Sequence, residues 1–162
     1  MRGWWSEEPS PHFNERGAGA VIDTIVLHAT ANSGLEETIR WFQNPVSKVS
    51  AHFTIGRDGT IVRHVPIEYK AWHAGQSEMH DGRTGVNEFS IGIELANRNN
   101  GTEEYTFEQI DSLRQLVVWI QNQYPVRYLV SHEIIARPPG RKNDPYKFPW
   151  EELDGLPIEL RY

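Results

Sequence analysis

The stretch Tyr128-Leu-Val-Ser131-His132-Glu-Ile-Ile-Ala-Arg-Pro-Pro-Gly-Arg-Lys142-Asn-Asp144-Pro145 passes from a short apolar run into a proline-rich loop. The run Tyr128 to Ser131 reads as a strand, which leaves the His132 imidazole at a strand end. Pro138, Pro139 and Pro145 fix φ and remove backbone donors, so a stiff loop returns Asp144 toward the same point. A second apolar run, Val21-Ile-Asp-Thr-Ile-Val-Leu27, ends directly at His28. Two imidazoles and a carboxylate at converging strand ends suit a catalytic zinc site whose fourth position is left to water. Other readings of the same residues compete with this one. A single His at a strand end often serves as a hydrogen-bonded structural group, and Asp before Pro is a common turn starter. The His132-Glu133 pair hints at the helical HExxH motif, but Ala136 stands where its second His is needed, and two prolines follow.

Working outward, the chain alternates strands and helices. Residues 21–28 read as a buried strand. Ser33-Gly-Leu-Glu36 has the form of a capping box, opening a helix that runs to about Asn44 and is stopped by Pro45. Residues 50–56 and 60–65 read as strands joined by a hairpin turn at Arg57-Asp-Gly59. The polar stretch 78–87 reads as a loop and 90–96 as a strand. Thr106-Phe-Glu-Gln109 caps the longest helix, with Ile110, Leu113, Val117, Ile120 and Tyr124 on one stripe. Residues 127–131 are expected to form the last strand. The whole reads as an α/β single domain, a mixed central sheet flanked by helices. The expected divisions are a leader over 1–20, the domain proper over 21–153, and a tail over 154–162 that is linker-like or lies on the surface.

Alternation along the 90–96 strand sets Ile91, Ile93 and Leu95 on one face and Gly92 with Glu94 on the other. Glycine beside a carboxylate leaves room there for substrate or water. By the same rule His28 shares a face with Val26 and Thr24, so His28 and Glu94 are able to face one cleft.

Composition narrows the class of function. With 162 residues, 38% of them hydrophobic, the chain buries one sizeable core. A net charge of −6 argues against a nucleic-acid partner. Cysteine is absent, so any metal must be held by His and carboxylate groups. The N-terminal Met-Arg-Gly-Trp-Trp-Ser-Glu-Glu has no apolar core of signal-peptide length, and no run approaches the roughly 20 apolar residues of a membrane span. The expectation is a protein made in the cytoplasm, without membrane insertion, working as a monomer; action outside the cell after release stays open.

Five segments carry a resemblance: Ile25-Val-Leu-His-Ala-Thr30, Val49-Ser-Ala-His-Phe-Thr-Ile-Gly-Arg-Asp-Gly59, Ala71-Trp-His-Ala-Gly75, Asn87-Glu-Phe-Ser-Ile-Gly-Ile-Glu-Leu95 and Gly140-Arg-Lys-Asn-Asp-Pro145. In this order and with these gaps the chain resembles the type 2 N-acetylmuramoyl-L-alanine amidases, a family that includes AmpD-like recycling enzymes, phage lysins and peptidoglycan recognition proteins. The likeness spans about Ser10 to Trp150, and the leader Ser10-Pro-His-Phe-Asn-Glu-Arg16 shares in it. The resemblance implies zinc on His28, His132 and Asp144, with catalytic roles for Glu94 and Lys142. It implies hydrolysis of the amide between the lactyl group of N-acetylmuramic acid and L-alanine, in peptidoglycan or muropeptides. It also implies substrate contacts from Trp72 and His73 in the cleft, with Arg83 and Asn87 near the peptide stem. An arginine fork there suits a carboxylate. The chain departs from the family in two places. The loop between His132 and Lys142 is longer by about two residues, and Ala51 stands where recognition-type relatives often carry Tyr, which puts more weight on Glu94. A second reading is a non-catalytic peptidoglycan-binding module of the same fold; such relatives usually lack a metal ligand, and all three are present here.

Overall fold

The computed structural model describes residues 4–162, so the first three residues of the expected leader lie outside the described residues. In chain order the strands are β1 (Ser6–Glu7), β2 (Phe13–Glu15), β3 (Thr24–Ala29), β4 (Phe53–Ile55), β5 (Ile61–Arg63), β6 (Tyr69–Ala71), β7 (Ser90–Leu95), β8 (Tyr128–Ser131) and β9 (Glu159–Arg161). The α-helices are α1 (Leu35–Gln43), α2 (Phe107–Gln123) and the single turn α3 (His132–Ile135). Seven strands make one sheet in the order β1-β5-β4-β7-β3-β8-β9, and β2 pairs with β6 in a separate two-stranded sheet. Strand β3 lies between β7 and β8 and is parallel to both. Only the β4–β5 hairpin is antiparallel within the large sheet.

Each face of β3 buries a different half of its alternating sequence. Ile25 and Leu27 join Ile91, Ile93 and Leu95 of β7, and Leu113, Leu116, Val117 and Ile120 of α2 cover them. On the opposite face Val26 packs with Val130, Ala74, Met79, Val86, Phe89 and Ile135. Having both faces covered explains why the parallel strands read as apolar runs. Helix α2 begins with a complete capping box: Thr106 Oγ1 accepts from the Gln109 amide at 3.0 Å, and Gln109 Oε1 accepts from the Thr106 amide at 3.2 Å. The Gln109 amide group also donates to the carbonyls of Ala96 and Ile55, tying the helix start to the ends of β7 and β4.

Three expectations are corrected. Ser33 and Glu36 form no capping box; Gly34 is the N-cap, without a side-chain hydrogen bond. Asn32, bridged to Asn97 at the end of the sheet, accepts instead from the Gly34 amide and sets the start of α1. The 127–131 strand is not the last, because β9 adds parallel to β8 and its Leu160 packs against the core. The strand read over 50–56 is shorter, β4 spanning Phe53–Ile55: the Ser50 amide turns to the Trp72 carbonyl, while the His52 amide and carbonyl still bond Gly92 and His64. The hairpin at Arg57–Gly59 and the C-terminal limit of α1 at Asn44 are as read.

Removing the α2 cap tests this account. Thr106→Ala should cost about 1 kcal/mol, lowering the thermal midpoint by about 2–4 °C in a chain of this size. Calorimetry reads the shift, and an unchanged midpoint would show that the box contributes nothing.

Candidate active site

The C-terminal ends of β3, β7 and β8 bring the site together. In the parallel register His28 lies directly beside Glu94, and Leu27 lies beside Ser131, so His132 starts α3 immediately beyond the ladder. The Ser131 hydroxyl accepts from the Ile134 amide and fixes that turn. The loop then returns: the Glu133 amide donates to the Asp144 carbonyl at 3.0 Å, and the Ala29 amide reaches Asp144 Oδ2 at 3.4 Å. Loop rigidity is completed by Asn99, which donates to the Asn143 side chain and accepts from the Tyr146 amide.

His28, His132 and Asp144 form a cluster able to hold a metal ion. Nδ1 of His28 lies 3.1 Å from Nδ1 of His132, and Asp144 Oδ2 lies 3.3 Å from each. Ligand atoms 2.0–2.1 Å from a tetrahedral zinc stand about 3.3 Å apart, so these separations match the edges of such a site. Chemistry points the same way. His132 Nε2 lies 3.1 Å from the Ala74 carbonyl, which only accepts, so a proton sits on Nε2 and Nδ1 is the nitrogen left to ligate beside Asp144. Electron pairs converging from three groups are what a cation completes. Burial lowers the His28 pKa to about 4, with His132 nearby as a lesser cause, which keeps its ring neutral and fit to ligate. Burial alone would push the Asp144 carboxyl up, but the hydrogen bonds and charge that protons on the two neighbouring Nδ1 atoms supply, in the place a cation would take, hold it well below the usual carboxylate range.

Glu94 is half-buried, and its Oε2 is shut off from solvent with no hydrogen-bond partner. Burial, reinforced by the charge of Asp144 and opposed by Lys142, raises its pKa well above the ordinary value. It lines a cleft of about 360 Å³ together with the three cluster residues, Lys142, Trp72 and His73. Lys142 is exposed at the rim. Trp41, 51% exposed on α1, also lines the cleft, an aromatic group that the sequence reading did not single out.

Two of the four expected substrate contacts sit elsewhere. Arg83 pairs with Asp23 at 3.0 Å and Asp81 at 2.9 Å over the Phe89 ring, outside the cleft, because two carboxylates and an aromatic face already satisfy its guanidinium. Asn87 turns its side chain to the backbone, with Oδ1 accepting from the amides of His73 and Ala74. His73 is buried, and each of its ring nitrogens already has a neighbour. The room beside Gly92 is filled by that ring: a Cβ at residue 92 would stand 2.5 Å from His73 Cγ. His52 is a supporting residue, its Nδ1 accepting from the Gly92 amide and its Nε2 facing the Tyr69 carbonyl.

The fold and the site define a class: an α/β protein whose parallel strands present, at their C-terminal ends, a His-His-Asp cluster able to hold a metal ion beside a half-buried carboxyl group. Residues 18–147 match the family described as N-acetylmuramoyl-L-alanine amidase. Over 95% of the chain and 92% of the relative, the sequence is 41% identical to the 1,6-anhydro-N-acetylmuramyl-L-alanine amidase AmpD of Citrobacter freundii. The crystal structure of a selenomethionine derivative of AmpD superposes with a TM-score of 0.82, at 31% identity over 94% of both chains. Escherichia coli AmiD, solved with anhydro-N-acetylmuramic acid-L-Ala-D-gamma-Glu-L-Lys, gives a TM-score of 0.77 at 28% identity, over 91% of this chain and 66% of that one. The chain belongs to the N-acetylmuramoyl-L-alanine amidase family.

Buried neutral histidines make a pH prediction. Burial lowers His28 and His64 to about 4, His52 to about 3, and His73 well below its usual value. Each takes up its proton near pH 6.5 when unfolded but only at the lower pH when folded, so stability is full above 6.5 and lost as pH falls toward 4. The raised Glu94 opposes this with one proton. In chelator-treated protein the unfolding free energy should therefore fall from pH 6.5 to 4, each histidine contributing up to about 1.4 kcal/mol per pH unit. Urea titrations at several pH values measure it, and a flat profile would contradict the burial of neutral rings.

Proposed function

We propose that the protein is a zinc-dependent amidase that cleaves the bond between N-acetylmuramic acid and L-alanine, with anhydro-muropeptides as its substrate. The observation that carries the reading is the convergence of His28, His132 and Asp144 beside an unpartnered Glu94 oxygen. The choice of anhydro-muropeptide over intact wall is supported by the near full-length similarity to AmpD, a 1,6-anhydro-N-acetylmuramyl-L-alanine amidase, and by the AmiD complex with such a molecule.

His28, His132 and Asp144 would hold the zinc, which when bound supplies Lewis acidity toward a carbonyl oxygen and acidifies a water molecule to a pKa of about 7. Glu94 takes the proton of the attacking water and passes it to the departing alanine amine. Its raised pKa suits the second half of that task. The positive charge that the cluster would hold lowers that pKa again and favours the carboxylate that the first half needs. The Lys142 ammonium stabilises the negative charge that develops on the scissile carbonyl oxygen; losing one such donor costs roughly 3–4 kcal/mol elsewhere. Trp72, at the cleft wall with its indole N–H donated to Asn14, offers a ring face to the sugar.

Glu94→Gln and Lys142→Met should each keep their zinc and lose activity by about a hundredfold or more. Mass spectrometry of digests of anhydro-muropeptides and of intact sacculi should show new L-alanine amino termini without new reducing sugars, faster on the former. A chelator should stop the reaction. New reducing ends without alanine amines would refute the amidase reading, and equal rates on both substrates the narrower one.

A further inference from the structure

One short segment touches both imidazoles of the cluster from behind. His73 Nδ1 lies 3.0 Å from His28 Nε2, and the next carbonyl, Ala74, lies 3.1 Å from His132 Nε2. The segment is itself clamped. Asn87 Oδ1 accepts from the His73 amide at 3.1 Å and the Ala74 amide at 2.8 Å, the Ser50 hydroxyl accepts from the Trp72 amide at 2.9 Å, and Arg141 donates to the Ala74 carbonyl at 3.1 Å. The His73 ring lies at 88° to that of His28, with its Nε2 3.0 Å from the Ser90 hydroxyl. Ser90, Gly92 and Glu94 share one face of β7 by strand alternation. The first therefore anchors His73, the second makes space for its ring, and the third enters the cleft.

From this geometry we propose that His73 and Asn87 are positioning residues for the metal: with the Ala74 carbonyl they form an outer platform that fixes the orientation and tautomer of both imidazole ligands, and they set zinc affinity rather than contact substrate. The inference rests on the zinc reading above. For His28 to offer Nδ1 to a metal while neutral, its proton must sit on Nε2, and the acceptor waiting there is His73 Nδ1. His73 in turn places its own proton on Nε2, toward the Ser90 oxygen, so the chain of donors runs outward without a clash. His132 is fixed in the same sense by Ala74, whose position depends on the Asn87 clamp. Partners of this kind around metal-bound histidines typically contribute 10- to 100-fold in affinity.

The test is the zinc dissociation constant of the whole protein, measured by competition with a chromophoric chelator, beside steady-state kinetics on muropeptide at saturating zinc. His73→Phe keeps a ring but removes the acceptor, and Asn87→Ala releases the clamp; each should weaken zinc binding by about 10- to 100-fold. His73→Gln, which restores an acceptor oxygen, should recover most of the affinity, and its KM at saturating zinc should stay near that of the unaltered protein. If His73→Phe does not fold, Asn87→Ala decides by the same criterion. Unchanged zinc affinity in these variants, or a raised KM with affinity intact, overturns the proposal and makes these residues structural or substrate-binding. An unaltered protein that binds no zinc would instead remove the reading beneath it.

Discussion

The parallel pairing of β3 with β7 on one side and β8 on the other is the constraint from which the site follows. Three strands running the same way end at the same edge, and their following residues are delivered together. In-register pairing sets His28 against Glu94, and Ser131 against Leu27, which leaves His132 one step beyond. A slip of one residue would turn His28 to the face where Ile25 and Leu27 are covered by α2. Register is therefore specified by the isoleucines and leucines that never touch the chemistry. Burial of Ile25, Leu27, Ile91, Ile93 and Leu95, all fully enclosed, locks the position of the imidazole and the carboxyl group.

Enclosure also sets the electrostatics. Neutral imidazoles are cheaper to bury than charged ones, so burial lowers the pKa of His28, His52, His64 and His73. The same burial raises Glu94. A sheet end crowded with neutral rings and one unpartnered carboxyl oxygen is poised to receive positive charge. The cleft thus gathers its chemistry by excluding water from groups that would otherwise be charged.

Much of this was legible in the sequence because it was written locally. Apolar runs ending at His28 and His132, the prolines before Asp144, and the alternation around Glu94 each place a side chain with information from a few neighbours. The Thr106–Gln109 capping box was local too. What escaped the reading depends on long-range partners. Ser33 and Glu36 have the letters of a capping box, but Asn32, held across the sheet by Asn97, claims the helix start. Three residues of β9 carry too short a pattern to be seen and gain their place only by pairing with β8. His73 and Asn87, beside Trp72 and before Glu94, look from sequence like groups open to a substrate, whereas their hydrogen bonds run to His28 and to the 73–74 backbone, partners that only the fold supplies. Arg83 carried a usable local signal: Asp81, two residues away, takes its guanidinium.

The central claim is that two imidazole Nδ1 atoms and one carboxylate make a single zinc site at this sheet edge. X-ray absorption spectroscopy on zinc-loaded protein, with anomalous diffraction to place the ion, tests it most directly. The account predicts one ion bound by two histidine nitrogens and an Asp144 oxygen at about 2.0–2.1 Å, with a further light-atom ligand. An ion held by other residues, or an active protein with no ion between His28, His132 and Asp144, would contradict it.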